Sequence, residues 1–95
     1  MTKDYTNSVG KLSKLSVRQK EILQLLSTGE WEIGTSWGDV WMQKGGLGYG
    51  GESKIVNWNT FQALRIRGFI AQVTQRVFEQ PQRYYITDKG KERVR

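Results

Sequence analysis

Amide side chains and small residues share one face of a predicted helix, where they have the chemistry to contact bases. Helical periodicity runs from Lys54 to Arg67 and stops at Gly68. At about 100° per residue, Phe61 and Leu64 fall on one face of this helix. The other face holds Asn59, Gln62, Ala63 and Ile66, with Trp58 at its edge and Arg65 and Arg67 at its end. Asn and Gln amides pair bidentately with adenine, and small residues permit close approach in the major groove of DNA. Two interpretations stay open from this face alone, base reading and an ordinary solvated surface.

A predicted β-hairpin follows this helix and carries further polar groups. The segments 69–78 and 83–87 are rich in β-branched and aromatic residues, and the turn Glu79–Gln82 between them holds the only proline. Four polar residues lie at or near the tip, namely Arg76, Gln80, Gln82 and Arg83. Two arginines on a projecting hairpin suit contacts with phosphates or with the minor groove. The alternative is a soluble hairpin with a polar tip.

The absence of cysteine and histidine limits the other chemistry that the chain can support. Without them there is no disulfide, no thiol nucleophile, no Cys/His zinc site and no histidine base. The carboxylates are scattered, and no pair of them has the spacing of an acid/base dyad or a metal site. We therefore predict a protein that is not an enzyme, with no catalytic residue, no metal site and no cofactor.

The charge of the chain is +6, from 15 Lys and Arg against nine Asp and Glu, and it is unevenly distributed. Residues 1–20 carry +4, residues 21–52 carry −4 and residues 53–95 carry +6. This distribution favours an anionic partner for the two basic regions. The length of 95 residues fits one domain. No apolar run approaches the roughly 20 residues that span a bilayer, so we expect no membrane partner.

The rest of the sequence predicts an N-terminal arm followed by further helices and a short strand. Residues 1–11 are expected to form a flexible basic N-terminal arm, and residues 12–95 one domain. Ser16 and Gln19 have the spacing of a capping box, which marks the start of a helix. The helix at Lys54–Arg67 is called helix 3. The elements expected besides it and the hairpin are helix 1 at Arg18–Thr28, a short strand at Glu30–Ile33, helix 2 at Trp37–Met42 and a final helix at Asp88–Arg95.

Two runs of residues together match the pattern of a known family. In Thr60–Ile70, a leucine is followed by two arginines that flank an isoleucine, then by a glycine and two apolar residues. In Arg83–Glu92, an aromatic, an aliphatic, a threonine, two polar residues and a glycine follow one another. In this order they resemble the recognition helix, wing and final helix of the winged helix-turn-helix DNA-binding superfamily, and the closest resemblance is to bacterial regulators of the MarR and PadR type. The resemblance covers about residues 12–95. It implies an α+β winged-helix fold, in which a three-helix core carries a C-terminal β-hairpin wing and a short final helix.

The resemblance implies double-stranded DNA as the partner, with helix 3 in the major groove and the wing on the backbone or in the minor groove. The DNA-facing residues carried over by position are Lys54, Trp58, Asn59, Gln62 and Ala63 on the helix side, and Arg76, Gln80, Gln82 and Arg83 on the wing. Arg65 and Arg67 are expected to add electrostatic contacts. The expected role is that of a small transcriptional regulator or a phage- or plasmid-type accessory factor. Such a protein works in the cytoplasm, associated with the nucleoid if the source is bacterial.

Two other functions remain open. The first is a protein-interaction module on the same fold, because tryptophan is favoured at interaction hot spots. Its contact face would lie in the acidic middle of the chain and consist of Trp31, Trp37 and Trp41. The second is binding of single-stranded nucleic acid by stacking. Its exposed aromatic residues would be Trp58, Tyr49 and Tyr85.

A glycine-rich segment between the predicted helices 2 and 3 also suggests a ligand. Gly46–Gly51 matches the G-x-G-x-x-G pattern of dinucleotide-binding loops. No buried strand is predicted before it, and no acidic residue lies about 20 positions later, so we expect no dinucleotide site. Two roles are left for this segment, a flexible connector and a backbone-rich element that contacts phosphates. The side chains available for the second role are Lys44, Tyr49, Ser53 and Lys54.

Overall fold

The computed structural model describes residues 14–95, and within that range the chain forms three helices and five strands. In chain order they are α1 (Val17–Ser27), β1 (Trp31–Ser36), β2 (Asp39–Lys44), β3 (Ser53–Ile55), α2 (Trp58–Ile66), β4 (Ile70–Gln72), β5 (Gln82–Ile86) and α3 (Asp88–Val94). The predicted arm, residues 1–11, lies outside the described residues.

The five strands form one antiparallel sheet in the order β3-β2-β1-β5-β4. Ile33 lies opposite Met42 on one side and opposite Tyr84 on the other, so these three side chains point to the same face. The helices α1 and α2 pack against this face. Phe61 of α2 contacts Tyr84 edge-on, with 4.9 Å between the ring centroids. The hydrophobic core therefore lies between one face of the sheet and the helices.

The predicted winged-helix fold class is wrong, because Trp37–Met42 is not a helix. Residues 39–44 alternate between inward and outward positions along β2, and they pair with β1 over six residues. Ser36, just before this segment, is the last residue of β1. The chain thus has no three-helix core with an appended wing. The β4–β5 hairpin is present, but as one side of a five-stranded sheet that dominates the fold.

The predictions for helices 1 and 3 are confirmed, although helix 3 is shorter than expected. At the start of α1, the Ser16 hydroxyl accepts from the Gln19 amide at 3.0 Å, and the Gln19 side chain accepts from the Ser16 amide at 3.1 Å. In α2, the Asn57 side chain accepts from the amides of Asn59 and Thr60. Residues 53–55 do not join this helix because they pair with β2.

The turn between β1 and β2 holds a tryptophan in an unfavourable backbone conformation. Trp37 has a φ of 50° and Gly38 a φ of 91°, which is the pattern of a type I′ hairpin turn. Asn and Gly are the residues that adopt this conformation most easily, and Trp is not among them. The Trp37 side chain is 87% exposed, so packing does not offset this backbone cost.

Replacing Trp37 with asparagine should stabilise the protein by about 1 kcal/mol. Asparagine tolerates the left-handed region that Trp37 occupies, and little packing is lost from a side chain so exposed. The measurement is urea unfolding followed by circular dichroism. Trp37→Val, a β-branched side chain in the same turn, should destabilise the protein. Equal stability of these two variants would contradict the turn assignment.

The glycine-rich loop, residues 45–52, is anchored to the sheet face opposite the helices. Leu47 is buried and its Cδ1 lies against Gly34 of β1. The Leu47 amide donates to Glu32 Oε1 at 2.9 Å, and the Gly48 amide donates to Gln43 Oε1 at 2.9 Å. These contacts disagree with the flexible-connector interpretation of this segment. Through these contacts the loop covers part of the sheet face that lies opposite the helices.

Candidate nucleic-acid interface

The outward side of α2 presents the polar face that the sequence predicts. Asn59 and Arg65 are exposed, while Gln62 and Ala63 are half-buried. Arg65 Nε donates to Gln62 Oε1 at 2.8 Å, which fixes the two side chains side by side. Phe61 and Leu64, on the inward side, belong to the core as predicted. The face combines amide groups, a guanidinium and the exposed apolar side chain of Ile66.

Two predicted contact residues lie near the start of α2, on different elements. Trp58 is the first residue of the helix and is 48% exposed, with its ring 5.6 Å from that of Phe61. Lys54 lies on β3, where it forms an ion pair with Glu52 at 3.8 Å and stands over the ring of Trp31. Lys54 is therefore not part of the helical reading face, although it lies near the start of α2.

Two glutamine side chains hydrogen-bond to the backbone of the loop between β4 and β5, residues 73–81. Gln82 donates to the carbonyl of Val77 at 3.4 Å, and Gln75 donates to that of Pro81 at 3.3 Å. Of the predicted contact residues in this region, Arg76 and Gln80 are exposed, whereas Gln82 is half-buried. The outermost groups are Val77 and Phe78, which are 91% and 77% exposed. The expected polar tip is thus partly apolar.

Arg83, predicted to contact DNA, is held by an acidic residue of the neighbouring strand. Its guanidinium donates to Glu32 Oε1 at 2.7 Å, and both side chains are about one-third exposed or less. The same carboxylate oxygen accepts from the Leu47 amide. Arg83 therefore links β5, β1 and the glycine-rich loop, and a contact with phosphate would compete with this ion pair.

The three tryptophans of the acidic middle do not form one face. Trp31 packs beside the core on the helix side of the sheet. Trp41 lies opposite Gly34 and Ile55, with its side chain on the other face. Trp37 projects from the turn between the two strands. The predicted Trp31/Trp37/Trp41 contact face is therefore wrong, since it depended on helix 2.

Ion pairs neutralise most of the acidic middle. The five pairs found within residues 14–95 are Arg18–Glu21, Lys44–Glu30, Lys54–Glu52, Arg83–Glu32 and Arg95–Glu92. Every glutamate of segment 21–52 is included, which leaves only Asp39 unpaired there. The cations that form no ion pair within this range include Arg65, Arg76, Lys89, Lys91 and Arg93. Lys14 and Lys20 also form no ion pair in this range, so most of the unpaired positive charge, but not all of it, lies on α2, the β4–β5 loop and α3.

Three cations surround the buried ring of Phe69, and we call them the Phe69 cluster. The Arg67 guanidinium lies 4.8 Å from the ring centroid, that of Arg93 5.3 Å and the Lys89 ammonium 5.7 Å. Burial, and then the charge of Arg93, lower the pKa of Arg67 from its ordinary value. Sequence reasoning placed Arg67 at the interface but missed Lys89 and Arg93. Their four-residue spacing on the final helix was the signal that could have found them.

Other kinds of site find no support in the described part of the chain. No group of three or more acidic residues there could hold a metal ion. None of its helices combines the length and apolar content that crossing a membrane requires.

Comparison of the chain with protein-family models, curated proteins and solved structures gives no significant match.

Proposed function

We propose that this protein binds double-stranded DNA through the outward face of α2 and the cations around it. The observation that carries the proposal is the distribution of ion pairs. They neutralise the glutamates of the middle segment and leave Arg65, Arg76, Lys89 and Arg93 without an ion pair within residues 14–95. Unpaired surface cations attract a polyanion, and release of its counterions drives binding.

The amides of α2 support base reading beside these electrostatic contacts. Asn59 is exposed, and Gln62 is held next to Arg65 by the hydrogen bond between their side chains. Asn and Gln read adenine, and arginine reads guanine, at the major-groove edge. A helix that presents these groups on one side fits the width of that groove. The proposed biological role is a small transcriptional regulator or a phage- or plasmid-type accessory factor, acting in the cytoplasm.

The proposal is tested by fluorescence anisotropy with a duplex of random sequence at several salt concentrations. If four phosphates are contacted, affinity should fall about 100-fold between about 50 and 200 mM salt. No binding at the lowest salt would contradict the proposal and favour a protein-interaction module. A preference for single strands with quenching of tryptophan fluorescence would favour the stacking alternative instead.

Replacing Gln62 with alanine should relax sequence preference at one base step. The loss of one bidentate contact costs about 1–3 kcal/mol for the preferred base and little for the others. The measurement is selection of bound duplexes from a random pool, carried out with the parent and with the variant. Gln24→Ala removes an exposed amide from α1 and serves as the control. Identical selected pools from the parent and Gln62→Ala would show that α2 does not read bases.

A further inference from the structure

We infer that the Phe69 cluster, Arg67, Lys89 and Arg93, is a phosphate-binding site that contacts the backbone of the DNA duplex. The inference rests on the proposed function and deepens it, because it names the surface that meets phosphate. Two of the three residues, Lys89 and Arg93, belong to the final helix, which sequence analysis left without a functional role.

The geometry brings three positive charges close together. The ring distances limit the separation of any two charges in the cluster to about 11 Å. Phe69 attracts each cation through its π face, but the ring has no net charge and cannot cancel the repulsion between Lys89 and Arg93. Lys89 and Arg93 have no carboxylate partner within residues 14–95. An anion bound here would relieve that repulsion.

One member of the cluster, Arg67, is held in place before any ligand arrives. Arg67 donates to the Lys14 carbonyl at 2.9 Å and to Gln19 Oε1 at 3.3 Å, which restrains its guanidinium. Lys89 and Arg93 are one turn apart on α3, so they project on the same side of that helix. Restrained side chains lose less conformational entropy on binding.

Phosphate is the anion that this arrangement fits best. Arginine and lysine are the principal donors to phosphate oxygens in protein–DNA complexes, and guanidinium groups bind these oxygens in a bidentate manner. The neighbouring Arg65 lies near the end of α2, two residues before Arg67. Since Arg67 is the C-cap of α2, the cluster lies at the end of the proposed reading helix.

The experiment compares two double variants with the same net charge. Lys89→Gln with Arg93→Gln removes two charges from the cluster. Lys20→Gln with Lys91→Gln removes two exposed charges elsewhere and is the matched control. With a duplex of about 20 base pairs, the cluster variant should bind about 30-fold more weakly at physiological salt, and its salt slope should fall by about two units. The control should change by less than about threefold, since Lys91 lies on the side of α3 opposite Lys89 and Arg93, and Lys20 lies on α1.

Two further measurements separate the possible failures. A charge-preserving variant, Lys89→Arg with Arg93→Lys, should bind like the parent, and thermal unfolding checks that each variant is folded. Equal losses in both double-glutamine variants would overturn the inference while leaving DNA binding intact.

If the parent binds no duplex, the proposed function fails, and inorganic phosphate then tests the cluster directly. Phosphate-induced shifts of amide resonances at Lys89 and Arg93 that vanish in the cluster variant would support the phosphate site, with a free phosphorylated ligand as its source. The absence of such shifts would overturn it.

Discussion

Replacing Gly34 with valine should leave the protein largely unfolded at 25 °C. Gly34 lies in β1 at the centre of the sheet, and a Cβ there would lie 2.7 Å from the Gln82 carbonyl oxygen and would collide with the side chain of Leu47. Backbone on one side and a buried side chain on the other leave no room for adjustment. The expected loss is about 4 kcal/mol or more, close to the whole stability of a small domain.

The measurement is far-ultraviolet circular dichroism with urea unfolding. Thr35→Val places the same side chain at the next position of β1, which is half-buried, and should remain folded. A Gly34→Val variant as stable as the parent would show that the glycine-rich loop does not cover this part of the sheet.

Replacing Leu47 with alanine should destabilise the protein by about 2–4 kcal/mol. Leu47 is 1% exposed although it lies in a loop of glycines, because its side chain is seated over Gly34 on the open face of the sheet. The loss combines transfer of its methyl groups to water with the cavity that remains. Ile55→Ala removes an exposed apolar side chain from nearby β3 and should cost less than about 0.5 kcal/mol.

A double-mutant cycle tests whether Leu47 acts through Gly34. Alanine at position 34 collides with Leu47, so Leu47→Ala should relieve part of the damage caused by Gly34→Ala. The two changes should therefore be less than additive, by about 1 kcal/mol or more. Additive effects, or a Leu47→Ala variant with parental stability, would mean that the loop is not docked on the sheet.

Local sequence signals predicted those elements whose boundaries are determined by neighbouring residues. The capping box of Ser16 and Gln19 marks α1, and the spacing of Phe61 and Leu64 marks the inward side of α2. The segment 37–42 was ambiguous, because Val40, Trp41 and Met42 are consecutive apolar residues with neither helical nor strand periodicity. Its strand conformation depends on pairing with β1 and β3, which are tertiary contacts.

The residues of the candidate site also divide into those that local sequence signals predict and those that only tertiary contacts bring together. The outward amides of α2 follow from helical periodicity alone. The ion pair of Arg83 does not, because Glu32 is 51 residues away in the chain and meets Arg83 only through the pairing of β1 with β5. The spacing of Lys89 and Arg93 puts them on one side of α3, but their meeting with Arg67 depends on the contact between the end of α2 and α3, which the sequence does not reveal.

The lengths of the strands bear on how the protein would aggregate. Both edge strands, β3 and β4, are only three residues long, while the six-residue strands β1 and β2 lie inside the sheet. A short edge offers a poor template for adding strands from another molecule, which is a common defence against fibril growth. Self-association at high concentration is therefore expected to begin at projecting apolar groups such as Trp37 and Phe78, and polar substitutions there should improve solubility.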